Sequence, residues 1–280
     1  MTARLGDVRA AAARRLAAAG LPSPDADAEL LLAHVLDVPR SRLVLAEPPD
    51  AAQAARLDAL LERRAHHEPL QHLTGRAAFR RVELAVGPGV FVPRPETELL
   101  AGWAVDRLRD LDAPVAVDLC TGSGAVAAAL ADEAPHARVH AVELSPPAYE
   151  YAVANLTGTG VDVRLGDAAD AFHDLDGTVD VVVANPPYIP LEAYEEVAEE
   201  ARLFDPAVAL WSGADGLDVV RVVEAVAARL LLPGGVVGCE HADVQGDSAP
   251  AVFAGTGRWA DVSDHRDLAD RPRFVTARRR

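Results

Sequence analysis

The chain contains no lysine; all 27 of its basic side chains are arginine. Alongside a heavy alanine content, that reads as genome composition and not as chemistry. Cysteine is nearly missing too, with only Cys120 and Cys239 present. Two isolated thiols build neither a disulfide framework nor a zinc site, and they suit a reducing cytoplasm. No apolar run approaches the ~20 residues of a membrane span. Positive charge is scarce against the acidic side chains, and the formal net charge is −16. A chain this acidic repels a phosphate backbone on average, although a local basic patch could override the repulsion. Nucleophile-elbow and P-loop patterns do not occur. The histidines show no ligand spacing with cysteine or carboxylates, so no metal is expected.

What is present suggests about two domains, since 280 residues exceed the roughly 100–200 of one. Leu5, Val8, Ala12, Leu16 and Ala19 recur at helical spacing until Gly20-Leu21-Pro22 stops the run. The Ala- and Arg-rich start therefore reads as a first helix and not as a transit peptide. Ser23-Pro24 opens a second helix with Ala28, Leu31, Leu32 and Val35 on one face. A third runs from about Asp50 to Arg64 with Leu57, Leu60 and Leu61 apolar. Short helices of this kind form a small bundle, either a packing cap or a docking surface for a partner. Residues 78–92 alternate and contain Gly87-Pro88-Gly89, which suggests a β-hairpin linker. Pro93-Arg94-Pro95 fixes the backbone ahead of a helix over Thr97–Arg109, with Glu96 and Glu98 near its positive end.

From there strand and helix alternate. Strands are expected at Val115–Leu119, Arg138–Glu143, Val161–Leu165, Val179–Ala184 and Gly235–Glu240, the last after a turn at Pro233-Gly234. Helices are expected at Ala125–Asp132, Ser145–Asn155 and Leu217–Leu232, and two short strands near 259–263 and 273–278. Repeated βα units imply a mostly parallel, doubly wound α/β sheet. Arg278-Arg279-Arg280 reads as a solvated tail, with a patch for RNA or ribosome as the alternative.

The chemistry gathers at strand ends, where open α/β sheets bind ligands. The β-branched run Val179–Ala184 stops on Asn185-Pro186-Pro187-Tyr188, because two prolines cannot continue a ladder. Asn185 and Tyr188 are thereby thrown out at the carboxyl edge. The first turn, Asp118-Leu119-Cys120-Thr121-Gly122-Ser123-Gly124, has small residues that let a ligand approach the backbone. It lacks the Gly-x-Gly-x-x-Gly dinucleotide pattern. Glu143, about 20 residues on, ends the second strand, where a carboxylate can accept two ribose hydroxyls. Asp167 ends the third strand.

These residues carry a resemblance. The first turn is similar to that of S-adenosylmethionine (AdoMet)-dependent methyltransferases, and Asn185-Pro186-Pro187-Tyr188 resembles the motif of enzymes that methylate planar nitrogen. Pro69–Gly75, Pro93–Glu98, Gly213–Asp218, and Glu240 followed by Gln245 then look like the PrmC/HemK family, which methylates the Gly-Gly-Gln glutamine of class I peptide chain release factors. The resemblance implies a seven-stranded class I, Rossmann-like methyltransferase domain over 94–280. It also implies a helical substrate-docking domain over 1–73 and a β-hairpin linker over 74–93. Cofactor-binding residues would be Asp118, Cys120, Thr121, Gly122, Ser123, Gly124, Glu143, Asp167, Ala168 and Asn185. Asn185, Pro186, Pro187 and Tyr188 would bind the substrate and carry catalysis. The Asn185 side-chain oxygen and the Pro186 carbonyl would accept the two amide protons, Pro187 would stiffen the loop, and Tyr188 would pack on the planar amide. The protein would be a cytoplasmic monomer acting on a protein partner, without direct contact to nucleic acid or membrane. A nucleic-acid N-methyltransferase shares the Asn-Pro-Pro-Tyr motif and is the alternative, while a non-catalytic AdoMet-binding module is the third reading. The sequence departs from the family at Cys120, His72, Ala242 and Asp270, and at Ala168, where an aromatic residue would stack on adenine.

Overall fold

The computed structural model describes residues 4–280. The chain divides into two compact units. One runs to Arg76 and takes in Ala198–Phe204; the other comprises Ala77–Val197 and Asp205–Arg280.

The first unit holds α1 (Leu5–Ala18), α2 (Pro24–Leu36), α3 (Ala51–Ala65) and the single turn α4 (Leu70–Thr74). Pro24 occupies the start of α2, where its missing N–H has no intrahelical partner to lose. Asp50 and Gln53 form a reciprocal capping box at the start of α3. Leu16, Leu31, Leu32, Leu57 and Leu61 pack together as a core, each burial contributing roughly 1.5–3 kcal/mol. Arg64 is also buried. Its guanidinium donates to Asp27 Oδ2 at 2.8 Å, the Glu68 carbonyl at 2.8 Å and Glu200 Oε2 at 2.6 Å. The third helix thus ends on a buried, fully engaged cation that periodicity alone does not reveal.

The hairpin β1 (Arg76–Phe79) and β2 (Val82–Ala85), which lies in the second unit from Ala77 on, is followed by α5 (Thr97–Leu108). The hairpin turns at Arg80, whose φ is 49°, and Gly87-Pro88-Gly89 lies beyond its second strand. Phe79, Leu84, Val86 and Val90 join the same core as α5, so the hairpin is part of this unit. Then follow β3 (Val115–Leu119), α6 (Ala125–Glu133), β4 (Arg138–Glu143), α7 (Pro146–Leu156), β5 (Asp162–Leu165) and β6 (Val179–Ala184). After α8 (Glu199–Phe204), which belongs to the first unit, come α9 (Asp218–Leu230), β7 (Leu231–Glu240), α10 (Ser248–Ala254), β8 (Trp259–Arg266) and β9 (Pro272–Arg279).

The sheet has seven strands in the order β5-β4-β3-β6-β7-β9-β8. The first five run parallel, and β9 enters antiparallel between β7 and β8. Successive residues face opposite sides. Val181 and Val183 pack on the layer of α5, α6 and α7, while Val182 and Ala184 pack on that of α9 and α10. Both faces are covered, which is why the strands read as continuous apolar runs. The order reverses between β3 and β6, and a crevice opens at such a switch point.

Two expectations are corrected. The fifth long strand begins at Leu231, not Gly235. Leu231 pairs with Val179 and Val236 with Val181, so Pro233-Gly234 forms a bulge inside the strand. Arg278 and Arg279 are not a free tail but the end of β9, although Arg278 and Arg280 are solvent-exposed as expected. Arg278 Nε donates to Asp261 at 2.8 Å, Arg279 Nε to the Ala228 carbonyl at 3.0 Å and Arg280 Nε to the Trp259 carbonyl at 2.6 Å.

Candidate active site

Register sets the site. Val142 pairs with Arg164 and its neighbour Leu119, Leu119 pairs with Ala184, and Ala184 with Cys239. The residues that follow, Glu143, Cys120, Asn185 and Glu240, therefore leave four adjacent strands in one row across the switch point. Sequence reasoning places the first three at the site. Glu240 appears there only as part of a motif.

On the β3–β4 side the carboxylates organise the backbone. Asp118 is 1% exposed and faces inward. Its Oδ2 accepts from the Thr121 hydroxyl at 2.6 Å and from Ala127 N at 3.1 Å, tying the small-residue turn to α6. Burial raises its pKa to about 7. Glu143 Oε2 accepts from Gly122 N at 2.7 Å and Oε1 from Ser145 N at 2.8 Å. A carboxylate has about four lone-pair sites, so Glu143 keeps capacity for a ligand's hydroxyls while it locks the turn. A Cβ at Gly122 would meet nothing within 4 Å, so the space beside the turn is open, and its φ of +58° is the left-handed region. Asn155 Nδ2 holds the Ser123 carbonyl at 2.9 Å, and Gly124 starts α6 at φ 84°. Asp167 is exposed and caps the turn Ala168–Asp170 through Ala169 N at 2.9 Å. Ala168 is buried in the core beneath, packed with Phe172. Cys120 also adopts a left-handed φ, 60°, which costs an L-residue roughly 1–2 kcal/mol. Burial and the charges of Glu143, Asp118 and Asp167 push its thiol pKa up, so it offers no thiolate.

On the β6–β7 side, Asn185 Nδ2 donates to Thr97 Oγ1 at 3.1 Å. Tyr188 donates its hydroxyl to Glu240 Oε1 at 3.2 Å. Glu240 is 1% exposed, and burial raises its pKa to about 7, opposed by the Thr97 hydroxyl, Arg273 and Tyr188. Burial and the Glu240 charge push the Tyr188 phenol pKa up, so it stays protonated. The tyrosine that sequence reasoning assigns to stacking is thus also a hydrogen-bond donor inside the site. Thr97, Glu240 and Gln245 lie in motif stretches legible in the sequence, but nothing in their spacing shows that they meet around Asn185 and Tyr188.

Gln245 clamps the loop after β6. Its Nε2 donates to the Tyr188 carbonyl at 3.0 Å and the Asp215 carbonyl at 3.2 Å, while Oε1 accepts from Ala242 N at 2.9 Å. Gly216 lies against this clamp with φ +75°, and a Cβ there would stand 2.3 Å from the Tyr188 carbonyl oxygen and 2.6 Å from Gln245 Nε2. Gly216→Ala is therefore expected to destabilise the protein by about 1–3 kcal/mol through strain. Thermal unfolding measures this, and an unchanged melting temperature would show that the loop yields freely.

Among the described residues, no group of three or more His, Cys, Asp or Glu could hold a metal ion, and no helix is long and apolar enough to cross a membrane. The PrmC N-terminal domain model matches residues 7–75, and a methyltransferase domain model matches 116–204. The release factor glutamine methyltransferase of Streptomyces coelicolor is 57% identical over 96% of this chain and 96% of that protein. The Mycolicibacterium smegmatis enzyme of the same name is 50% identical over 99% and 98%. A 4-amino-L-phenylalanine/4-methylamino-L-phenylalanine methyltransferase of Streptomyces pristinaespiralis is 44% identical over 88% and 85%. In fold, the chain is similar to the catalytic domain of hMettl16 in complex with the MAT2A 3′UTR hairpin 6, with a TM-score of 0.56, 13% identity and 83% of each chain covered. A class I methyltransferase sheet preceded by a PrmC-type helical domain, with near-full-length identity of this order, places the chain in the release factor glutamine methyltransferase family.

Proposed function

We propose that the protein transfers a methyl group from AdoMet to the side-chain amide nitrogen of the Gly-Gly-Gln glutamine in class I peptide chain release factors. The observation that carries this reading is Asn185. Its carboxamide nitrogen donates to Thr97 Oγ1 at 3.1 Å, which leaves Oδ1 as the acceptor for a substrate amide N–H.

The residues fit the cofactor. Open space beside Gly122 and a carboxylate at Glu143 suit a ribose with two hydroxyls. The acids Asp118, Glu143 and Asp167 suit a cationic ligand. Bound there, AdoMet supplies a methyl group on a sulfonium, a good leaving group. The protein's part is to bind and orient. An amide nitrogen is a poor nucleophile because its lone pair is delocalised into the carbonyl. Asn185 Oδ1 accepts one of its protons and the Pro186 carbonyl the other, which presents the π face of the nitrogen. Pro187 stiffens the loop, and Tyr188 bounds the planar amide. Orientation of this kind can lower a barrier by ~7–11 kcal/mol at best. No base is required before transfer, because the proton can leave afterwards. In this reading the N-terminal helices hold the release factor, and the enzyme works as a cytoplasmic monomer.

The test offers labelled AdoMet to the protein with a release factor, its loop Gln→Ala variant, duplex DNA and 4-amino-L-phenylalanine side by side. Label on the wild-type factor alone is the expected result. Label on DNA or on the amino acid would replace this reading with a nucleic-acid or arylamine methyltransferase.

A further inference from the structure

The Asn185 carboxamide has two ends of similar shape and opposite chemistry. Only one orientation serves a substrate amide, which presents N–H donors. What selects it lies one step further in. Thr97 Oγ1, at the start of α5, accepts from Asn185 Nδ2 at 3.1 Å. The same hydroxyl lies close enough to the Glu240 carboxyl to favour its ionised form. Glu240 Oε1 is taken by the Tyr188 hydroxyl. Glu240 Oε2 is buried and has no hydrogen-bond partner among the described residues. A carboxylate only accepts. Thr97 stands beside this carboxylate, and with its proton turned toward Glu240 its Oγ1 lone pairs face the Asn185 amide as acceptor.

The geometry points to Thr97 and Glu240 as positioning residues that hold the Asn185 carboxamide with Oδ1 toward the acceptor nitrogen, by a directed chain from Asn185 Nδ2 to Thr97 Oγ1 to the Glu240 carboxylate. The inference rests on the methyl-transfer reading above. It goes beyond it by assigning the direction of the site to two residues that never touch the substrate.

The direction depends on the charge of Glu240. The charged and titratable groups facing Glu240 are Tyr188 from the loop after β6, Glu96 before α5 and Arg273 on β9. Tyr188 stays protonated and Arg273 stays cationic. Glu240 is thus the member of the group whose state changes near neutrality, at about pH 7. Protonated, it becomes a donor. The Thr97 hydroxyl can then turn its own proton on Asn185, and the carboxamide loses its fixed sense. Activity is therefore present above the Glu240 pKa and is lost as pH falls through it.

Three variants test this in the full chain with AdoMet saturating. Thr97→Val keeps the shape and removes the hydroxyl; kcat for release-factor methylation is expected to fall about 30-fold, with AdoMet affinity within about twofold. Thr97→Ser restores the hydroxyl and brings kcat back to within about threefold. Glu240→Gln places a donor where the acceptor was, so its kcat is low and flat from about pH 6 to 9, whereas that of the wild type rises through neutrality. Asp118 also titrates at about 7, but it underlies the cofactor turn, so it moves AdoMet affinity and not kcat at saturation. A second measurement needs no substrate. The Asn185 side-chain ¹⁵N signal of the AdoMet-bound protein should titrate with Glu240 in the wild type and stand still in Thr97→Val. A Thr97→Val enzyme with wild-type kcat, or a wild-type Asn185 signal that ignores pH, overturns the assignment while leaving the methyl-transfer reading intact. If the wild type labels no release factor, that reading fails, and the ¹⁵N titration alone decides the orientation of Asn185.

Discussion

Asn185→Ala lowers kcat for release-factor methylation by about 10²–10³-fold, the loss typical when one preorganised polar group is removed from a reacting centre. The substitution deletes the acceptor that orients the substrate nitrogen. It touches neither the β3 turn nor Glu143, so AdoMet affinity should stay within about threefold. Single-turnover transfer of labelled methyl, paired with calorimetric titration of AdoMet, separates the two effects. Full turnover with normal cofactor binding would remove Asn185 from the mechanism. Asn185→Asp is a sharper variant of the same test. It keeps the shape but exchanges the Nδ2 donor for an acceptor, so its Thr97 contact loses its proton.

Glu143→Ala weakens AdoMet binding by about 10²–10³-fold. Hydrogen bonds to a charged group contribute about 1.5–3 kcal/mol each, and two ribose hydroxyls depend on this one carboxylate in the proposed complex. The loss also reaches the backbone, because Gly122 N and Ser145 N both donate to Glu143. With the turn no longer locked, the melting temperature of the cofactor-free protein should fall too. Titration calorimetry with AdoMet gives the affinity directly, and a dissociation constant within threefold of wild type would relocate the ribose. Glu143→Gln divides the two roles. It keeps one acceptor but replaces the other with a donor facing a backbone N–H, so it should stay well below wild type in affinity.

The departures from the family pattern acquire physical meaning in the structure. At Cys120 and Asp270, where the resemblance implies glycine, φ is 60°. Glycine would take that conformation without the cost an L side chain carries. Aspartate visits the left-handed region more readily than most residues, and Asp270 sits in a turn built by Asp267, whose Oδ1 accepts from Ala269 N and Arg271 N. Cysteine lacks that aptitude, and its cost is borne at the cofactor turn. Ala242, also in place of a family glycine, has a φ of −67°, so nothing in the backbone demands glycine there. His72 is buried within the helical unit.

Elements with a strong local signature were readable in advance. The four strands Val115–Leu119, Arg138–Glu143, Val179–Ala184 and the β9 segment are apolar runs punctuated by glycine, proline or an acid, and those signals are local. Leu231–Gly235 was misread because Pro233-Gly234 is a turn signal in isolation. Only pairing with β6 on both sides of it makes a bulge. Arg278–Arg280 looked like a solvated tail because charge density is legible in a string of residues, and their carbonyl and Asp261 partners are not.

The amino-acid sequence by itself determined the chemistry on offer: an asparagine thrown clear of a sheet by two prolines, a small-residue turn, and a carboxylate one βα unit later. Those features are set by backbone sterics and by spacing along the chain. Tertiary structure alone decided which groups act together. The register of β4, β3, β6 and β7 lines up Glu143, Cys120, Asn185 and Glu240. The start of α5 brings Thr97 within 3.1 Å of Asn185 across 88 residues of chain. Hydrogen bonds have directions, and a direction exists only once donor and acceptor have been brought face to face. The orientation of Asn185 therefore belongs to the fold and not to the motif that contains it.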